Sequence, residues 1–546
     1  MHEYRSSGRP PTRAKRAMIT TPHTLASSTG LDVLRSGGSA VDAAIAANAT
    51  LCVAYPHMAG LGGDGFWLLA DGNNVTGINA SGPAAANATR ASYRDRGLES
   101  IPDRGSESAL TVPGAIDGWR LAHEEYGSLS WERLFEDAIQ HAREGVAVTA
   151  NLARWIALDR DVLADDPRAA ATFLSNGDAP TVGATLRQPA LAASLERIAH
   201  GGARDGFYDG QLAIEFCTSL DEESPLTATD FSEYSAEWVT PLDIEYGNCT
   251  AHSLPPNSQG LAALQILGLL DGFDVESWGD GTVDYYHHLA EAVKVAFADR
   301  DAWITDPDSI QLPAETLLSS SYLEDRRALI GREDTLPADL EPGIAPETTQ
   351  PVSEDAGGDT CYLSVVDSDG LAVSLIQSIY YDFGSGVIAG DTGIIPQNRG
   401  SFFSLDPNHI NRLEPRKRTF HTLTPAMLTE EGDPRLVYGT MGGEGQPQTQ
   451  AALVTRLLDF EYDVQQAIEA PRWLFGRTWG EASRSLTLEG RIPDPVVTGL
   501  EKRGHPVAMG RNYDDTMGHA AAIRRHDDGS LEGGSDPRSD GAAIGY

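Results

Sequence analysis

Lysine is nearly absent from this chain. Lys15, Lys294, Lys417 and Lys502 are the only four in 546 residues, so almost all the positive charge is arginine. Against 41 Lys and Arg stand 79 Asp and Glu, a formal net charge of −38. A surface of that sign repels phosphate backbones and anionic lipid, because counterion release needs clustered cations. Nucleic-acid and membrane partners are therefore not expected. Abundant carboxylates with scarce lysine fit a salt-rich, halophilic cytosol, where screening moderates the self-repulsion. Cysteine is equally sparse: Cys52, Cys217, Cys249 and Cys361 show neither CxxC pairing nor zinc-type spacing, which excludes a disulfide framework and a zinc finger. No stretch reaches the roughly 18 apolar residues of a spanning helix. The basic N-terminus lacks the apolar core of a signal peptide, so the expected location is the cytoplasm.

What is present is enough apolar residue, 41%, for a substantial core, in a chain too long for one small domain. Residues 1–17 read as a mobile tail. The run 31–56 reads as two helices broken at Gly37 and Gly38. A glycine-dense turn, GLGGDG (60–65), leads into a hairpin of FWLLA (66–70), DGNN and VTGINA (75–80). Residues 115–215 look mainly helical, 242–254 strand-like, and 283–303 forms one long helix. Residues 333–359 differ: rich in Pro, Glu, Asp and small side chains, they cannot bury enough surface to offset their ordering entropy. They read as a flexible tether between a large part, 18–332, and a small part, 360–546.

Structure resumes abruptly after the tether, with TCYLSVVD (360–367), a DSDG turn, and LAVSLIQSIYY (371–381), a hairpin pattern. If the Asp359–Thr360 bond is cut, Thr360 opens a buried strand with a hydroxyl and a free α-amine on one residue. An α-amine titrates at about 7.7–8. It can therefore act as general base for its own side chain near neutral pH, with no histidine. Asp-Thr also occurs at 334–335, 391–392 and 515–516, where it reads as a turn or capping pair.

Nine ordered motifs carry a resemblance to a known family. They are SGGSAVDAAIAAN (36–48), PHMAGLGGDGF (56–66), LTVPGAIDGW (110–119), PPNSQG (255–260), AEAVKVAFADR (290–300), DTCYLSVVDSDGLAVS (359–374), FGSGVIAGDTGI (383–394), LTPAM (423–427) and GTMGGEGQPQ (439–448). In these the chain resembles the γ-glutamyltransferase family, a branch of the N-terminal-nucleophile hydrolases. The resemblance implies an α+β fold, a four-layer αββα sandwich. It implies self-cleavage between Asp359 and Thr360 into a large and a small subunit that stay together, with Thr360 as nucleophile. Ser378 matches a supporting hydroxyl, and Gly442 with Gly443 matches the glycine pair whose N–H groups form the oxyanion hole. No cofactor and no metal are implied.

The match fails where the family holds its amino-acid substrate. NASGP (79–83) puts Asn79 at the position of the arginine that grips the α-carboxylate. His421 and Thr422 fall on the family's pair of serines, and Tyr380, Arg399 and Phe402 on the residues that hold the α-amine. The acyl-transfer machinery is thus matched and the clamp is not, which points to an acyl group without a free α-amine. Arg399 offers a fork either to a substrate carboxylate, similar to the branch with oxamate amidohydrolase and glutaryl-type acylases, or to a nearby Asp or Glu of this acidic chain. The expected partner is a small-molecule amide. Three matters stay open: a γ-glutamyl or glutathione hydrolase with a rearranged clamp, an uncleaved binding relative, and a homodimer of the processed pair. GLGGDG is no dinucleotide loop, because Asp64 repels phosphate and a strand follows. His287, His288 and Glu291 suggest no third metal ligand and read as helix packing.

Overall fold

The structure is a computed structural model and describes residues 7–220, 223–346, 359–476 and 483–546. Two seven-stranded antiparallel sheets carry the fold. Their strands in chain order are β1 (Thr12–Ala14), β2 (Met18–Thr21), β3 (Asp64–Asp71), β4 (Asn74–Ala80), β5 (Glu237–Val239), β6 (Leu242–Tyr246) and β7 (Cys249–Ser253). The series continues with β8 (Asp359–Val366), β9 (Ala372–Tyr380), β10 (Ala426–Glu430), β11 (Asp433–Thr440), β12 (Ala520–Arg525), β13 (Leu531–Ser535) and β14 (Ala542–Gly545). One sheet runs β14-β2-β8-β9-β3-β4-β5 and the other β1-β13-β12-β11-β10-β7-β6.

The sheets stack face to face, with Phe66, Leu68, Tyr362, Val366, Ile376, Met427, Val437 and Ile523 between them. On the outer face of the first sheet, Trp67, Leu69, Cys361, Leu363, Val365, Val373 and Leu375 meet a helical layer that includes α1 (Thr24–Arg35), α2 (Ala40–Ala54) and α3 (Ala115–Tyr126). On the outer face of the second, Ala251, Leu428, Leu436, Tyr438 and Ala522 meet α4 (Gly260–Asp271), α5 (Val283–Trp303), α6 (Gly445–Leu458) and α7 (Val464–Glu469). The result is the αββα sandwich. Side-chain alternation builds it directly: along β8, Cys361, Leu363 and Val365 face the helices while Tyr362 and Val366 face the partner sheet. Strands buried on both sides need apolar residues on both, which is why β9 is a near-continuous apolar run with every residue buried. Helix α2 is buried on every side and is rich in alanine, started by a capping box between Ser39 and Asp42.

Two expectations are corrected. Residues 1–6 lie outside the described residues, but Thr12–Ala14 is an edge strand on β13, and the N–H groups of Lys15 and Arg16 donate to the Tyr546 carbonyl. A ladder is made by backbone groups, so a short arginine-rich segment joins it without any apolar pattern. Of the tether, residues 347–358 lie outside the described residues. Residues 333–346 dock on the helical layer: Leu336 and Leu340 pack there, and Trp303 donates its indole N–H to the Ile344 carbonyl at 2.8 Å. No described helix is long and apolar enough to cross a membrane.

Candidate active site

Thr360 sits at the head of β8 and is fully buried. Its Oγ1 has no hydrogen-bond partner among the described residues. On one side of it Asp359 pairs with Tyr380, and on the other Cys361 pairs with Gln377. Strand β9 therefore carries one extra residue opposite Thr360, a β-bulge that interrupts the ladder there. Ser378 lies in this bulge, in register with Asp64 of β3, and its hydroxyl accepts from the Tyr380 N–H at 2.8 Å. Tyr380 takes a φ of 81°, unusual for a bulky residue.

The GLGGDG turn fits this bulge by close backbone approach. A Cβ on Gly63 would lie 2.3 Å from the Ser378 carbonyl oxygen, and one on Gly62 2.2 Å from that of Ile395. Backbone cannot yield as a side chain can. Gly63→Ala is expected to destabilise the fold by about 1–3 kcal/mol, the usual range for overpacking, and to disturb Ser378. Thermal unfolding and activity measured together check this; an unchanged melting point would remove the steric argument.

Gly442 and Gly443 follow β11 and lead into α6, with φ of 124° and 50°. Both angles favour glycine, and a helix N-terminus favours developing negative charge. The Gly443 carbonyl accepts from Gln259 Nε2 at 2.9 Å, and the Gly442 carbonyl from the Gly445 N–H at 2.7 Å.

Arg399 is 1% exposed. Its Nη2 donates to Thr422 Oγ1 at 3.3 Å, and its guanidinium lies 3.9 Å from the centroid of the Tyr380 ring. Nε and Nη1 have no partner among the described residues. Burial lowers its pKa to about 10, against the pull of Tyr380, Asp64 and Tyr381, so it stays charged at neutral pH. A buried cation with two donors unused is suited to an anion brought by a ligand. Phe402 forms an apolar wall, stacked on Phe420 at 5.0 Å and edge-on to Tyr380 at 6.0 Å.

The remaining two sequence-predicted substrate residues, Asn79 and His421, are hydrogen-bonded to other protein groups. Asn79 donates to Asn257 Oδ1 at 3.0 Å and accepts from the Ser81 hydroxyl at 2.7 Å. His421 Nε2 meets Asp64 Oδ2 at 3.2 Å, while its Nδ1 accepts from the Leu423 N–H, which makes Nε2 the protonated nitrogen. Burial and then Arg399 hold its pKa well below the ordinary value, so His421 is neutral.

Three residues at the site were not among the predicted ones. Asp64 Oδ1 accepts from Gln397 Nε2 at 2.9 Å and from the N–H groups of Gly82 and Gly114 at 3.1 Å. It thereby ties four loops together. Burial pushes its pKa up to about 7, opposed by Gln397, Gly82, Arg399 and Gly114. Gln259 and Gln397 are buried amides with fully used donors. The motifs that hold Asp64 and Gln259, GLGGDG and PPNSQG, were visible in the sequence, but their partners are set by loops far away in the chain.

His287 and Glu291 do meet a third group, His505. The set is occupied by its own hydrogen bonds. His287 Nε2 donates to the Gly331 carbonyl at 2.9 Å, its Nδ1 faces His505 Nε2 at 2.8 Å, and the Lys294 ammonium lies 2.8 Å from Glu291 Oε1. An ammonium already fills the place of a cation there.

Comparison with known proteins matches residues 26–546 to the gamma-glutamyltranspeptidase family model. The chain is 46% identical over 531 residues to the glutathione hydrolase-like YwrD proenzyme of Bacillus subtilis, covering 97% of this chain and 98% of that one. It is 43% identical over 538 residues to the oxamate amidohydrolase proenzyme of Klebsiella pneumoniae, covering 97% and 98%. Among solved structures, cephalosporin acylase from Bacillus halodurans superposes with a TM-score of 0.90 at 36% identity, covering 100% of this chain and 98% of that one.

Proposed function

Because the chain belongs to the gamma-glutamyltranspeptidase family of hydrolase proenzymes, we propose that it cuts itself before Thr360 and then uses Thr360 to hydrolyse the amide of a small carboxylate-bearing acyl group. The observation that carries this reading is the buried Thr360 hydroxyl, without a described partner, at the head of a central strand. A buried polar atom left unpaired is costly. It is understandable where a nucleophile must stay unencumbered.

In processing, Thr360 Oγ1 attacks the Asp359 carbonyl carbon. The hydroxyl proton passes to the Thr360 nitrogen, the C–N bond breaks, and an ester joins Asp359 to Oγ1. Water opens the ester, leaving a carboxylate on residue 359 and a free amine on residue 360. In turnover that amine takes the Oγ1 proton as the oxygen adds to the substrate's amide carbon. The resulting oxyanion is received by the N–H groups of Gly442 and Gly443. The proton returns to the leaving nitrogen, the C–N bond breaks, and the acyl group remains as an ester on Thr360. Water, deprotonated by the same amine, then releases the acid. Ser378, in the bulge opposite, supports the amine and hydroxyl. Arg399 meets the carboxylate of the acyl group with N–H groups that its described partners leave unused, on the face of Tyr380.

Oxamate, which names one relative, is an amide with a carboxylate beside it and suits this arrangement. The test is mass spectrometry of the purified protein, followed by a substrate panel of oxamate, a glutaryl amide and γ-glutamyl-p-nitroanilide. The expected result is a small chain beginning at Thr360 and turnover of oxamate or the glutaryl amide ahead of the γ-glutamyl anilide. A different first residue defeats the mechanism. Preference for the γ-glutamyl compound would favour the glutathione-hydrolase reading.

The amine can accept a proton only when uncharged. The rate constant kcat/KM should therefore rise with pH through the amine's pKa, about 7.7–8 for an exposed α-amine and lower where burial disfavours the cation. A pH–rate profile without such an acid limb would remove the amine from its role.

A further inference from the structure

We infer that Gln259 is a positioning residue that holds the oxyanion glycines and the carboxylate anchor in one fixed relation, across the boundary that processing creates. This rests on the reading of Gly442, Gly443 and Arg399 above.

Gln259 lies in the large part of the chain, just before α4, and is completely buried. One side-chain N–H donates to the Gly443 carbonyl at 2.9 Å and the other to the Thr422 carbonyl at 2.6 Å. Gly443 belongs to the glycine pair, and Thr422 bears the hydroxyl that Arg399 holds. A single planar amide thus spans the two halves of the site, and both segments belong to the small part. The backbone reinforces the grip: the Gln259 N–H donates to the His421 carbonyl at 3.0 Å, and the Ser258 hydroxyl to the Leu423 carbonyl at 2.6 Å. The amide is itself oriented by Arg300, whose Nη1 reaches Gln259 Oε1 at 3.4 Å while Nη2 reaches Glu444 Oε1 at 3.3 Å. Arg300 therefore secures residue 444 directly and residue 443 through Gln259. With left-handed φ at both glycines the turn has many alternatives open to it. A tether on the Gly443 carbonyl selects the one in which the peptide planes are fixed. Preorganised donors contribute only when they need no reorganisation during reaction.

The test uses the processed protein with Gln259→Met, which removes the donors, and Gln259→Glu, which keeps the shape. Cleaved fraction, melting temperature, kcat and KM are measured on whichever amide the wild type hydrolyses best. Loss of a whole oxyanion donor lowers kcat by about 10²–10³; a displaced one should lower it about 10- to 100-fold, with KM changed less. The carboxyl group that Gln259→Glu introduces can donate only when protonated, so the kcat of this variant relative to wild type should recover as pH falls. Arg300, Asp301, Glu444 and His421 are the charged or titratable groups around it. The Gln259→Met ratio should stay flat. Wild-type kcat in the cleaved, folded fraction of both variants overturns the inference even if their melting points drop, and so does a change confined to KM. Failure of the Thr360 reading would instead appear in the wild type, as an uncut chain.

Discussion

Thr360→Ala is expected to yield one full-length chain on a denaturing gel and an amidase rate lower by about 10⁶, the scale seen when a sole nucleophile is lost. Two features of the site make the effect so large. In the proposed mechanism the same hydroxyl opens the Asp359–Thr360 bond and attacks the substrate, so the variant lacks both the free amine and the nucleophile. The neighbouring thiol cannot substitute: Cys361, the next residue, faces the helical layer, and burial pushes its pKa up to about 12. The fold should survive, because the change removes one hydroxyl that has no described partner and one buried methyl group, a loss of about 1 kcal/mol. Thr360→Ser keeps the hydroxyl and should still be cleaved and active. Two cleaved chains from Thr360→Ala, or measurable turnover by the uncut variant, would place the chemistry elsewhere.

The second large effect concerns Arg399. Arg399→Met should lower kcat/KM for carboxylate-bearing amides by about 30- to 3,000-fold. Truncating one partner of a buried, hydrogen-bonded charge pair costs about 2–5 kcal/mol, and each 1.4 kcal/mol is about tenfold. The anchored carboxylate keeps its charge as the amide bond breaks, so the anchor acts on ground and transition states alike and most of the loss should appear in KM. Arg399→Lys should recover little. A lysine is a single point of charge and cannot supply the two directed donors or the flat stacking on Tyr380. Stability should not fall with Arg399→Met, because the free protein loses a buried cation with two unpaired donors. Amides with and without a carboxylate assayed side by side decide the matter: equal losses in both would mean that Arg399 supports the fold and not the substrate.

Several positions of this candidate site could be singled out from the sequence. The contrast between a Pro- and acid-rich segment and an apolar strand marked residue 360 among four Asp-Thr pairs. In the structure that pair alone opens a central strand, whereas 391–392 and 515–516 lie in 3-10 turns and Thr335 reaches Glu291 Oε1 at 2.8 Å. The paired glycines at 442 and 443 were singled out by the family resemblance, and their backbone angles both favour glycine. The roles of Asn79 and His421 were less accessible. Both occupy positions where the resemblance implies substrate contact, yet Asn79 is bound to Asn257 and His421 to Asp64. Polar side chains with several possible partners take their role from whichever loop arrives beside them. The docking of 333–346 was hidden for a related reason: a few anchors, Leu336, Leu340 and Thr335, suffice to hold a segment whose average composition is that of a tether.

Local pattern alone determined the strands β3, β4, β8 and β9, the change of composition before Thr360, and the chemical possibility of an amine and hydroxyl on one residue, since each depends on neighbours within a few positions. Only the tertiary structure decided that Arg399 comes to rest on Tyr380 with donors to spare, that Asp64 binds four loops, and that one amide at 259 reaches both 422 and 443. Those relations join residues more than a hundred positions apart in several cases. They follow from the stacking of two sheets, which no periodicity along the chain encodes.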